Sequence, residues 1–115
     1  MARLTDPVRL EHYRHVLKSW SVSCCINFTQ VAAEWMLKEL GCTQRQFKQK
    51  MWEFVVMEEG EIDEVKERRP EYSEHEFHHD LRFKVDGRLV YVETRLLQER
   101  DINDSEILVV NIHDR

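Results

Sequence analysis

The chain has 115 residues, 42% of them hydrophobic, and a formal net charge of −5. That size fits a single domain, residues 1–115, which can bury a core without metal or disulfide support. The acidic balance excludes non-specific nucleic-acid binding by the whole surface, since such binding depends on neutralising phosphates, and the apolar runs are too short to span a bilayer.

The first residues carry no apolar signal core, and Cys24, Cys25 and Cys42 form no C-x-x-C pair. A reduced, cytoplasmic protein is therefore expected. Asp6 is a suitable cap and Pro7 a suitable first residue for a helix, in which Val8, Tyr13, Val16, Leu17 and Trp20 recur at helical spacing. His12 and His15 lie on that helix at positions expected to face solvent. Over residues 22–29, Val22, Cys24, Ile26 and Phe28 alternate with polar or smaller residues, which predicts a strand.

Thr29 caps a second helix with Val31, Ala32, Trp35, Met36 and Leu40 as its apolar stripe, and Gly41 ends it. Thr43 with Gln46 makes a capping box for a third helix, whose buried side is Phe47, Met51, Phe54 and Val55. Residues 58–74 are charged and contain Pro70; they read as a long surface loop with a short extended piece at 62–65. A strand from Phe77 to Val85 follows. Asp86-Gly87 supplies a hairpin turn, residues 89–97 the return strand, and residues 106–113 a last strand. The expected class is α+β, in the order α-β-α-α-β-β-β, with helices packed on one face of an antiparallel sheet.

Side chains alternate between the faces of a sheet. One set is apolar: Phe77, Leu81, Phe83, Val85, Val90, Val92, Leu96, Leu108, Val110 and Ile112. The other holds His78, Asp80, Arg82, Lys84, Tyr91, Glu93, Arg95, Asn111 and His113. Neighbouring strands would bring an imidazole, a phenol and a guanidinium together; a solvated face with cross-strand ion pairs is the other reading of the same residues. In the run His75-Glu76-Phe77-His78-His79 the alternation sends His78 to one face and His75 with His79 to the other. The segment alone therefore presents no three-ligand metal site, and no metal or cofactor is expected. His79 reads as a hydrogen-bonded histidine at the edge of the core. Arg68 and Arg69 are the main basic residues of the long loop, suited to gripping a phosphate or simply solvated.

The run Ile26-Asn27-Phe28-Thr29 entering a helix, Gly41 before Thr43-Gln44, and the later Asp86-Gly87-Arg88, Val90-Tyr91-Val92-Glu93 and Ile107 to His113 together resemble RelE/ParE-like toxins of the MqsR-type branch. The resemblance spans residues 22–113, with residues 1–21 an extra N-terminal helix. It implies a toxin-like, metal-independent endoribonuclease of a toxin–antitoxin system, with RNA or the ribosome and an antitoxin or other protein as partners. On this implication Glu93 or His113 is the base, Arg95 and Arg82 stabilise the phosphorane, Tyr91 or His78 is the acid, and Arg68, Arg69 and Arg82 hold RNA. Such toxins are usually basic, and this chain carries Asp80 and Glu93 on the same face. The alternative is a non-catalytic protein-interaction module or an inactive relative of that fold.

Overall fold

A computed structural model describes residues 2–22, 25–72, 76–98 and 100–114. Its first helix, α1 (Pro7–Lys18), begins where Asp6 accepts the backbone N–H groups of Val8 and Arg9 at 2.9 and 3.2 Å. These bonds satisfy donors that a helix start otherwise leaves orphaned. Helix α2 (Gln30–Trp35) is capped by Thr29 and runs on into a wider π-helical stretch, Met36–Leu40. Gly41 closes it at φ +63°, a left-handed conformation that glycine adopts without a Cβ penalty. Helix α3 (Gln44–Trp52) has both hydrogen bonds of the Thr43–Gln46 capping box and also continues as a π-helical stretch, Glu53–Met57.

The strands are β1 (Ala2–Arg3), β2 (Ile26–Phe28), β3 (Asp63–Lys66), β4 (Phe77–Val85), β5 (Arg88–Leu97) and β6 (Glu106–Asp114). They form one sheet in the order β1-β3-β4-β5-β6-β2. Every pairing is antiparallel except β2 with β6, which sets Ile26 beside Ile107 in parallel. The α+β class therefore holds, with two strands beyond the expected order. One is β1. The other, β3, lies one residue on from the short extended piece expected at 62–65 within the charged loop: its four residues pair along β4, and the same stretch holds a short 3-10 turn, Pro70–Tyr72. The strand expected over residues 22–29 is confined to Ile26–Phe28, and Ser23 and Cys24 lie outside the described residues.

Tyr13, Val16 and Leu17 of α1, Ala32 of α2 with Met36 beyond it, and Phe47 and Met51 of α3 join Leu81, Phe83, Val92, Ile107 and Val109 in one buried cluster. The helices thus share a core with one side of the sheet. Val8 and Val31, expected in the helical stripes, are exposed instead. His12 is buried rather than solvated, with its Nδ1 2.7 Å from Ser105 Oγ. Helix α1 is also tied to the sheet by the Tyr13 hydroxyl, 2.8 Å from Thr94 Oγ1, so this N-terminal segment is integral to the core.

The apolar side of β6 differs from simple alternation. Glu93 pairs with Asn111 but Thr94 pairs with Val109, leaving Val110 as the extra residue of a β-bulge. A bulge resets which residues face which side. Ile112 faces the core, and beyond the bulge the core residues are Val109 and Ile107, where Val110 and Leu108 were expected.

Candidate functional site

The polar side of the sheet follows the strand registers. Arg82, Tyr91 and His113 lie side by side on β4, β5 and β6. One step along, Asp80, Glu93 and Asn111 form the next row. Asp63 on β3 stands opposite Asp80. His78, Tyr91, Glu93, Arg82 and His113 therefore share a face and a neighbourhood, as does Arg95. Its two ends are nevertheless different environments.

At the first end the rings of Tyr91 and His113 stack at 5.5 Å, only 3° from parallel. His113 is exposed, with its Nδ1 2.9 Å from the Asp114 carbonyl oxygen. Arg82 turns toward β3, where its Nε is 2.8 Å from the buried Asp63 carboxylate. That carboxylate is the leading cause holding the Arg82 guanidinium above its usual pKa. Nearby, His78 Nδ1 lies 2.7 Å from Asp80 Oδ1. Burial raises the Asp80 carboxyl above the usual aspartate range; the His78 contact opposes this, while the Glu93 and Asp63 charges add to it.

The second end is roofed. Residues 67–72 cross over it, and the Arg95 side chain is 0% exposed and that of Glu67 2% exposed. Glu67 contacts both Arg69 and Arg95; Glu93 contacts the same two arginines. The four side chains form a closed ring of alternating charge. Its longer contacts are Arg69 Nε to Glu67 Oε1 at 3.0 Å and Arg95 Nη2 to Glu93 Oε2 at 3.1 Å. Tyr72 lies against both cations, 4.9 Å from the Arg69 guanidinium and 4.5 Å from that of Arg95. The Arg69 side chain and backbone bonds, with the Arg95 charge, hold the Glu67 carboxyl down at about 2. Glu67 and Glu93 together hold the Arg69 guanidinium above its usual value.

Arg68 is exposed and donates its backbone N–H to Glu67 at 3.1 Å. The loop arginines thus divide: Arg69 is enclosed by carboxylates, and Arg68 faces solvent. Glu67 and Tyr72 were absent from the sequence-based site. Their signal was local: Glu67 stands just before Arg68-Arg69-Pro70, and a carboxylate there can accept the N–H groups of the turn that follows.

The histidine run divides as alternation requires. His78 joins the polar face, and His79 is buried on the helix side, where its Nε2 is 3.2 Å from Glu64 Oε2. Burial lowers the His79 pKa, against the pull of Glu64. His75 lies outside the described residues. Among the described residues no group of three His, Cys, Asp or Glu side chains is placed to hold a metal ion. No helix among them is long and apolar enough to cross a membrane. No family model, curated protein or solved structure matches the chain.

Proposed function

We propose that the polar sheet face is the site of an endoribonuclease that works without a metal ion, centred on the row Arg82, Tyr91 and His113. The observation that carries this reading is the register: three adjacent strands place a guanidinium, a phenol and an exposed imidazole side by side, on the face away from the helical core. The resemblance to MqsR-type toxins points to the same face.

In the reaction, His113 takes the proton of a ribose 2′-hydroxyl as its oxygen attacks the adjacent phosphorus. The O2′–P bond forms, and Arg82 stabilises the charge of the phosphorane. The P–O5′ bond then breaks, and Tyr91, or His78 beside Asp80, protonates the leaving oxygen. The products are a 2′,3′-cyclic phosphate and a 5′-hydroxyl. Arg95 has a different part from the one expected for it: enclosed by Glu67 and Glu93, it sets the frame in which Glu93 and the central strand sit.

The test is cleavage of an RNA oligonucleotide in EDTA by the wild type and by Tyr91→Phe and His113→Ala. Each substitution should lower the rate by roughly 10²- to 10⁴-fold, the usual range for a positioned acid or base. An inactive wild type, or variants with unchanged rates, would overturn the proposal.

A second reading, a non-catalytic module that docks a protein on this face, is favoured by one observation. Carboxylates already hold Arg69, Arg82 and Arg95, so bound phosphate must compete with them. A face that binds no RNA, with or without EDTA, and captures a basic protein with saturable affinity would select this reading.

A further inference from the structure

A buried arginine ordinarily uses its donors, because an orphaned polar group in a low-dielectric site is costly. Arg95 departs from this. It meets Glu67 and Glu93 through Nη2, while its buried Nε and Nη1 have no hydrogen-bond partner among the described residues. The ring of four charges is balanced, yet the donor fork of Arg95 is only partly engaged.

The cover over this fork is held in a particular way. Among the described residues, 68–72 make one backbone–backbone hydrogen bond, Tyr72 N–H to the Arg69 carbonyl at 3.1 Å. Their links to the sheet below are side-chain contacts: Arg69 to Glu93, and Tyr72 against Arg95. Glu67 is anchored by its backbone, its N–H donating to the Glu76 carbonyl at 2.9 Å, and reaches the arginines with its side chain alone. Its carboxylate can therefore leave without unpairing β3 from β4. Arg69 remains 40% exposed, so an incoming anion meets that cation first.

Carboxylate and phosphate are recognised by guanidinium through the same bidentate geometry. We infer that residues 67–72 are an autoinhibitory contact, in which the Glu67 carboxylate occupies the seat on Arg69 and Arg95 that a nucleic-acid phosphodiester takes when the site is loaded. The inference rests on the ribonuclease reading for the identity of the ligand, and it makes the observed arrangement the closed state of that site. A phosphodiester in this seat lies on the same face as Tyr91 and His113, which orients the chain toward the row of proton-transfer groups.

The experiment is binding of a fluorescent 2′-deoxy oligonucleotide, followed by anisotropy at low salt. Such a strand lacks the attacking hydroxyl, so binding is read without cleavage. Glu67→Gln should bind at least tenfold more tightly than the wild type. Adding Arg95→Lys to that variant should remove the gain, since lysine has no fork. Glu71→Gln, an exposed neighbour with the same change in charge, should shift Kd less than twofold. Inorganic phosphate should compete with the strand on Glu67→Gln at lower concentration than on the wild type.

Equal Kd values for Glu67→Gln and the wild type overturn the inference, as does an equal gain from Glu71→Gln. A polyglutamate peptide that displaces the strand more effectively than an unlabelled oligonucleotide also overturns it, since the seat would then belong to an acidic protein. If circular dichroism shows Glu67→Gln unfolded, Tyr72→Ala, which keeps all four charges, must give the gain; its absence has the same consequence. The two proposals separate cleanly. A binding gain without RNA cleavage in any variant leaves the closed seat standing and removes the ribonuclease. Cleavage by the wild type with no gain in Glu67→Gln does the reverse.

Discussion

Tyr91 and Arg95 point the same way from one strand, yet they belong to different kinds of site. Arg95 sits in a ring of compensating charge beneath residues 67–72, with no exposed side-chain surface. Tyr91 stacks under an exposed histidine at the uncovered end. The face is polar throughout, but polarity does different work at its two ends. At the covered end charge is a packing element, and removing one member leaves the others stranded. At the other end His113 is exposed, while Tyr91 beneath it is buried. The difference comes from a segment that crosses the sheet rather than from the strands.

The largest test of this contrast is Arg95→Leu. It leaves the two carboxylates of Glu67 and Glu93 with Arg69 as the one cation they still share, so one negative charge is uncompensated in a site that little water reaches. Breaking a buried pair by deleting one partner costs about 3–5 kcal/mol. For a domain near this size each kcal/mol lowers Tm by roughly 4–8 °C. Chemical denaturation should therefore show a loss in that range. A loss under about 1 kcal/mol would mean that the covered end is solvated after all, and the contrast would collapse.

Acid is the next test. The Glu67 carboxyl falls from the ordinary value of 4.5 to about 2 in the folded protein. A depressed carboxyl contributes stability that is fully present above the unfolded value and is lost as pH falls through the folded one. Its contribution is on the order of 1–3 kcal/mol, lost between about pH 4.5 and pH 2. Denaturation curves across that window should show Glu67→Gln losing less stability on acidification than the wild type. Parallel pH profiles would place the acid sensitivity elsewhere and loosen the ring as an account of this end.

These tests also mark how far the sequence could be read. The Asp6-Pro7 start, the Thr43–Gln46 box and the Asp86-Gly87 hairpin act through neighbours in the chain, and each is present in the structure. The turn shows it well: Asp86 and Gly87 both have positive φ, 51° and 82°, as a two-residue hairpin of this type requires. The two faces of β4 and β5 were legible for the same reason, because a strand's period is local. The parity of β6 was not legible beyond Val110, because the bulge depends on how β5 and β6 pair across the sheet. The roof over Arg95 escaped for a similar reason. Glu67 and Glu93 are far apart in the chain, and only the crossing segment brings both to Arg69 and Arg95. His12 likewise looked solvated until Ser105, a distant residue, was set against it.

The smallest expected effect comes from the uncovered end. His113 is exposed, and its main contacts are the stack on Tyr91 and the Asp114 carbonyl. A stacked pair contributes roughly 0.5–1.5 kcal/mol at most, and exposure reduces it. His113→Ala should therefore change stability by about 0.5 kcal/mol or less, as surface substitutions usually do. On the proposed ribonuclease reaction the same variant would lose cleavage, so one substitution reads both properties. A fall of 2 kcal/mol or more in denaturation would show that the uncovered end supports the fold as the covered one does. Any loss of activity would then report unfolding rather than proton transfer. An unchanged stability with a collapsed rate is the combination that only a working, dispensable end of the sheet can give.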